Sequence, residues 1–145
     1  MDQRCFDSLL AYSRPELATY MRRPGSFTLV AESLEASEEK NGSPGHKIVG
    51  FIVAEAHHRT SHIITIDVLP EARRLGIGSA LLQAAEDRLF QAGATTVALE
   101  TAVNNLAAIV FYKRKGYFVE KTVPGYYSNQ LDALEMKKEL SPSSN

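Results

Sequence analysis

Two clusters in this 145-residue chain hold residues whose type and spacing could do chemistry. The first is the run Arg73-Arg74-Leu75-Gly76-Ile77-Gly78. Glycine is a poor helix former, yet Ile77, Leu81, Leu82, Ala85 and Leu89 follow at helical intervals, so a helix must open on these glycines. Glycine there permits positive φ and lets a ligand approach the backbone. The first N–H groups of a helix have no intrahelical partner, and the helix dipole favours an anion beside them. Arg73 and Arg74 add positive charge, so the turn suits a phosphate or pyrophosphate. It is neither of two common phosphate motifs. The dinucleotide pattern G-x-G-x-x-G fails because Leu81 stands at its third glycine, and no G-K-[ST] triplet marks a P-loop. Taken alone, the turn also fits a glycine-rich connection with no ligand.

The second cluster is His57, His58 and His62, which resembles a metal set by residue type. The three flank a hairpin turn, and no carboxylate nearby completes a set of ligands, so no metal is expected. His62 begins a strand and could touch a substrate.

The elements that position these groups follow from periodicity. Residues 5–22 predict two short helices meeting near Ser13, ahead of Pro15. A strand follows over 26–32, and the polar stretch 33–47 reads as a long hairpin loop. The β-branched runs 48–58 and 62–69 predict an antiparallel hairpin. A helix over 77–90, a strand over 94–101, a helix over 105–115 closed by Gly116, and strands over 117–123 and 131–140 complete the order. The fold class is α+β with a mixed sheet. The crossover through the 77–90 helix makes the strands 62–69 and 94–101 parallel neighbours. Residues 1–140 form one domain, and 141–145 a frayed, disordered tail.

Bulk properties narrow the function. Sixteen basic and seventeen acidic residues leave a formal charge of −1, which argues against a general nucleic-acid binder. Cys5 is alone, as suits a reducing compartment. No apolar run approaches the ~20 residues of a membrane span, and the N-terminus lacks the features of a signal peptide. The reading is cytoplasmic.

With its motifs in view, the sequence resembles the GCN5-related N-acetyltransferase (GNAT) superfamily. "RRLGIG", after the strand "ITIDVLP", matches the acetyl-CoA signature [R/Q]-x-x-G-x-[G/A]. A second pattern runs through Leu99, Glu100, Asn105, Ala108, Tyr112, Gly116 and Tyr117. "GYYSNQLDALEMKKEL" is similar to the C-terminal hairpin of the branch that acetylates protein N-termini, typified by the ribosomal-protein alanine acetyltransferase.

The resemblance implies a sheet in which the strand before the glycine turn splays from its parallel neighbour, with the pantetheine arm of acetyl-CoA in the gap. Ile66, Asp67 and Val68 would line the arm. Arg73 and the backbone from Arg74, Leu75, Gly76, Ile77 and Gly78 to Ser79 would hold the pyrophosphate, and Asn105 would bond the arm. Acetyl transfer to an amine passes through an oxyanion-like state, for which the Val68 N–H is the candidate donor. Glu100, acting through water, would deprotonate the amine, and Tyr112 would protonate the departing thiolate. Tyr126 and Tyr127 would cover the substrate. Each has a plainer reading as well: a strand-end charge for Glu100, a packed aromatic for Tyr112, a helix N-cap for Asn105 with Asn104 as the alternative register, and turn packing for the tyrosine pair. The basic run Lys113–Lys115 fits a solvated helix face or a contact to the cofactor's 3′-phosphate.

The family also opens with a strand before its first helix. This chain starts at the helix, so that edge strand is missing or the gene start is truncated, and an exposed edge there invites a homodimer. The implied activity is acetyl-CoA-dependent N-acetylation of a primary amine, the N-terminus of a peptide or protein. A small amine or amino-acid derivative is the alternative substrate, and a non-catalytic acyl-CoA-binding module the alternative class.

Overall fold

The structure, a computed structural model, describes residues 24–38, 44–73, 75–127 and 131–141. The helices expected over 5–22, Arg74 and the tail beyond 141 lie outside the described residues, as does the matter of a strand ahead of those helices.

Strands β1 (Ser26–Glu38), β2 (Pro44–Glu55) and β3 (Thr60–Val68) form an antiparallel meander. The loop expected over 33–47 is therefore largely strand. Pairing continues from Ser33–Lys47 to Glu38–Pro44, with register shifts after Ala31 and Ser33. Its polar composition hid this because β3 pairs with β2 only from Gly50 onward. The hairpin arm beyond that point is held by backbone bonds, which require no apolar face. Lys47 ties it to Glu71 through a 3.1 Å ion pair.

β2 explains its own uninterrupted apolar run. Ile52 and Ala54 join one core with Ile63, while Phe51 and Val53 join a second with Ile64, Leu69 and Ala72. A strand buried on both faces shows no alternation. The first core is closed by α1 (Ile77–Gln91), which lays Leu81, Leu82, Ala85 and Leu89 on the sheet. Each buried leucine contributes roughly 1.5–3 kcal/mol. α1 also buries Glu86, whose two oxygens accept from Tyr117 Oη at 2.7 Å and Lys138 Nζ at 2.8 Å. This network, invisible to periodicity, pins the helix to the far half of the sheet.

β4 (Thr96–Ala102), α2 (Leu106–Arg114), β5 (Phe118–Val123) and β6 (Ala133–Glu139) complete the described elements. The strand order is β1-β2-β3-β4-β6-β5, so β6 inserts between β4 and β5 and leaves β5 at the edge. β3 and β4 are parallel neighbours, as the crossover requires. Their pairing stops after Thr60–Thr96, Ser61–Val97 and His62–Ala98. Beyond His62 the two strands part.

Candidate active site

The parting of β3 and β4 opens a cleft of about 730 Å³. Ile66, Asp67 and Val68 line it from β3, Thr101 from β4, and Asn105 and Tyr112 from the α2 side. Strand alternation sets which groups face it. Leu69 N–H donates back to Val49 O on β2, at 2.8 Å, so the N–H and C=O of Val68 project the other way, into the opening.

The α1 entry forms the end of the cleft. A 3-10 turn, Pro70–Ala72, follows β3 and anchors by burying Ala72. Gly76 is the helix N-cap at φ +79°, with no side-chain cap. That left-handed conformation disfavours any residue with a Cβ. The first closed helical bond runs from Ala80 N to Gly76 O at 3.0 Å, which leaves the N–H groups of Ile77, Gly78 and Ser79 at the cleft. Gly78 corrects one expectation: its φ is not positive. A Cβ there would meet Phe111 Cζ at 3.6 Å, an ordinary contact, so its use is an open approach to the backbone. Leu75 points out and is exposed, so only its backbone belongs to the turn. Arg73 reaches the cleft but is tied back: its Nε donates to Val68 O at 3.1 Å.

Asn105, not Asn104, caps α2, its side-chain oxygen accepting from Ala108 N at 3.2 Å. The amide N–H groups of its side chain keep their capacity to donate into the cleft. Tyr112 is buried between the edges of Phe111 and Tyr117 at centroid distances of 5.4 and 5.8 Å. Burial, and secondarily Tyr127, pushes its hydroxyl pKa well above the usual phenol range, so it stays protonated. Phe111 and Arg114 line the same wall. Neither was singled out individually from sequence, although Ala107, Phe111 and Arg114 stand at i, i+4 and i+7, the spacing of one helical face.

A second group gathers where the strands part. His62 Nε2 lies 2.6 Å from Glu100 Oε1, and Tyr126 Oη donates to the same oxygen at 3.1 Å. Glu100 is mostly buried and is not the solvated strand-end charge its position allowed. Tyr127 stacks edge-on against Tyr126 with centroids 4.9 Å apart. Gly125 N donates to Asp132 Oδ1 at 2.9 Å and steadies the hairpin that carries both tyrosines. Two of the three histidines pair with carboxylates, but with different ones: His57 with Glu55 and His62 with Glu100.

The Val68 N–H, expected at the oxyanion, donates to Asp67 Oδ1 at 3.0 Å. It also stands six residues beyond the last paired residue of β3, whereas Glu100 stands two beyond that of β4. At ~3.3 Å per residue these are different levels of the cleft.

Such a molecule is an α+β protein whose split parallel pair leads from a bare helix N-terminus to a clustered carboxylate. The chain belongs to the Acetyltransferase (GNAT) family, whose profile its residues 2–117 match. N-alpha-acetyltransferase 20 of Dictyostelium discoideum is 34% identical over 110 residues, 74% of this chain and 62% of that protein. The match thus spans less than two thirds of that relative. The crystal structure of Chaetomium thermophilum Naa20 in complex with a bisubstrate analogue is similar at TM-score 0.70 and 27% identity, covering 94% of this chain and 78% of that one. The ribosomal-protein-S18-alanine N-acetyltransferase of Escherichia coli shares the fold at TM-score 0.71 and 24% identity, covering 92% and 81%.

Proposed function

We propose that the protein transfers the acetyl group of acetyl-CoA to a primary amine, the N-terminal α-amine of a peptide or protein. The observation that carries this reading is Glu100, held by His62 and Tyr126 just past the last pair of β3 and β4, where the strands begin to part around a cleft that is lined by the bare N-terminus of α1. The N–H groups of Ile77, Gly78 and Ser79 suit the pyrophosphate. The edge of β3 that parts from β4 suits an arm that carries amides, because its N–H and C=O groups have no strand partner there.

An α-amine has a pKa of about 7.7–8.0, so little free energy is needed to neutralise it. Among the described residues both bonds to Glu100 fall on Oε1, which leaves Oε2 to take the proton, directly or through water. The amine nitrogen would then bond the thioester carbon as the carbon–sulfur bond breaks, Tyr112 Oη–H would supply the proton to sulfur, and the second proton that nitrogen sheds on becoming an amide would return through water to Tyr112, leaving it neutral again. The aromatic pair Tyr126–Tyr127 and His62 form the wall against which a peptide would lie. The name of the Dictyostelium relative supports an α-amine over a small-molecule amine.

The test is acetylation of a panel of free-N-terminus peptides against polyamines and amino-acid derivatives. Turnover on peptides, lost when their N-termini are blocked, is expected. Turnover on small amines alone rejects the peptide assignment, and acetyl-CoA binding without turnover on any amine leaves a binding module.

A further inference from the structure

Resting on that reading of the cleft, we infer that Asp67 and Arg73 compete with the arm of acetyl-CoA for the backbone of Val68, and so set the affinity of the site for its acyl carrier. Val68 presents one N–H and one C=O to the opening, and both are taken by neighbouring side chains. Asp67 Oδ1 accepts from the N–H at 3.0 Å, and Arg73 Nε donates to the C=O at 3.1 Å. The guanidinium also comes within 3.9 Å of Asp67 Oδ1, closing the pair on itself. Together the two side chains imitate one amide, an acceptor and a donor side by side.

The imitation has a weak half. Asp67 is buried, and its Oδ2 has no hydrogen-bond partner among the described residues. A buried carboxylate with one oxygen unserved is costly, and burial raises its pKa to about 6. An arm amide carries no charge into the same place and offers the same donor and acceptor, so exchange is favourable while the displaced pair can turn outward. Arg73, already half exposed, then gains freedom beside the helix N-terminus. A carboxylate bonded to a backbone N–H is held by a charge-assisted bond, stronger than a neutral one, so the exchange also lowers the affinity below what the bare edge would give.

Binding of acetyl-CoA and of 3′,5′-adenosine diphosphate, which lacks the arm, separates the possibilities. Each is titrated by calorimetry against the wild-type chain, Asp67→Ala and Asp67→Asn. Asp67→Ala is expected to bind acetyl-CoA about 5–10-fold tighter with the diphosphate unchanged within twofold. Asp67→Asn, which keeps a neutral acceptor, is expected to gain about 2–3-fold, and it carries the test alone if the alanine variant does not fold. Equal or weaker binding of acetyl-CoA by the folded variants overturns the inference. An equal gain for both ligands also overturns it, since that is the effect of removing a negative charge near the phosphates. Wild-type protein that binds neither ligand refutes the cofactor reading itself.

Discussion

His62 Nε2 and Glu100 Oε1 lie 2.6 Å apart, 38 residues apart in sequence, at the point where β3 and β4 stop pairing. The split that makes room for a ligand therefore also brings a carboxylate and an imidazole together at its base. A histidine that bonds the carboxylate fixes its orientation toward an incoming amine. Glu100→Gln keeps the shape and removes the base, so kcat should fall about 10²–10⁴-fold with acetyl-CoA affinity unchanged. His62→Ala should lower kcat less, by roughly tenfold. Steady-state kinetics with a peptide substrate, alongside calorimetric binding, checks both; full activity in Glu100→Gln removes it from the mechanism.

Tyr112 lines the cleft from α2, with its proton held by burial. Tyr112→Phe keeps the packing against Phe111 and Tyr117 and deletes only the hydroxyl. Turnover should drop roughly 10²-fold while acetyl-CoA affinity stays within a factor of two. A drop in affinity with kcat intact would make it a wall residue and nothing more.

The glycine turn separates two effects. Gly76→Ala meets no atom within 4 Å, so its penalty is the left-handed φ of +79°, about 1–2 kcal/mol of stability by denaturant unfolding. Gly78→Ala makes an ordinary contact and should be tolerated, whereas Gly78→Trp should abolish acetyl-CoA binding by covering the helix N–H groups. Unchanged affinity in the tryptophan variant would disprove the phosphate turn.

Asp67 couples stability to pH. Desolvation raises its carboxyl to about 6, against the opposing pulls of the Val68 N–H and Arg73. An unfolded aspartate titrates near ~3.9. Below that value both states hold the proton and the stability is complete. As pH rises the unfolded chain releases its proton first, so stability falls until about pH 6 and then levels off, lower by at most about 3 kcal/mol. Asp67→Asn should show a flatter profile from pH 4 to 7 in urea melts and should exceed the wild type at pH 7. A variant less stable than wild type at pH 7 contradicts the buried-charge account.

Glu86 holds α1 to β6 and to the entry of β5 through Tyr117 and Lys138. Tyr117→Phe removes a hydrogen bond to a buried carboxylate and should cost about 1.5–3 kcal/mol in denaturant unfolding, with kcat little changed. A loss below about 0.5 kcal/mol would show that Lys138 alone satisfies Glu86.

What the sequence determined by itself was local. The glycine pair, the helical spacing after Ile77 and the crossover from β3 through α1 to β4 follow from conformational freedom and periodicity, which neighbouring residues carry between them. These argued for an anion at the start of α1 and made β3 and β4 parallel. The polar arm from Ser33 to Lys47 escaped, because its strands are held by backbone bonds that leave no pattern in side chains. The insertion of β6 between β4 and β5 escaped as well, since pairing between distant strands depends on which edges remain open after the rest has packed. The chemistry was divided in the same way. Glu100 and Tyr112 stood out as single residues, but the bond from His62 to Glu100, the Glu86 network and the hold of Asp67 and Arg73 on Val68 depend on atoms placed within a few ångströms. Distances of that kind arise only when strands diverge and helices close over them, so they belong to the tertiary structure and not to any stretch of the chain.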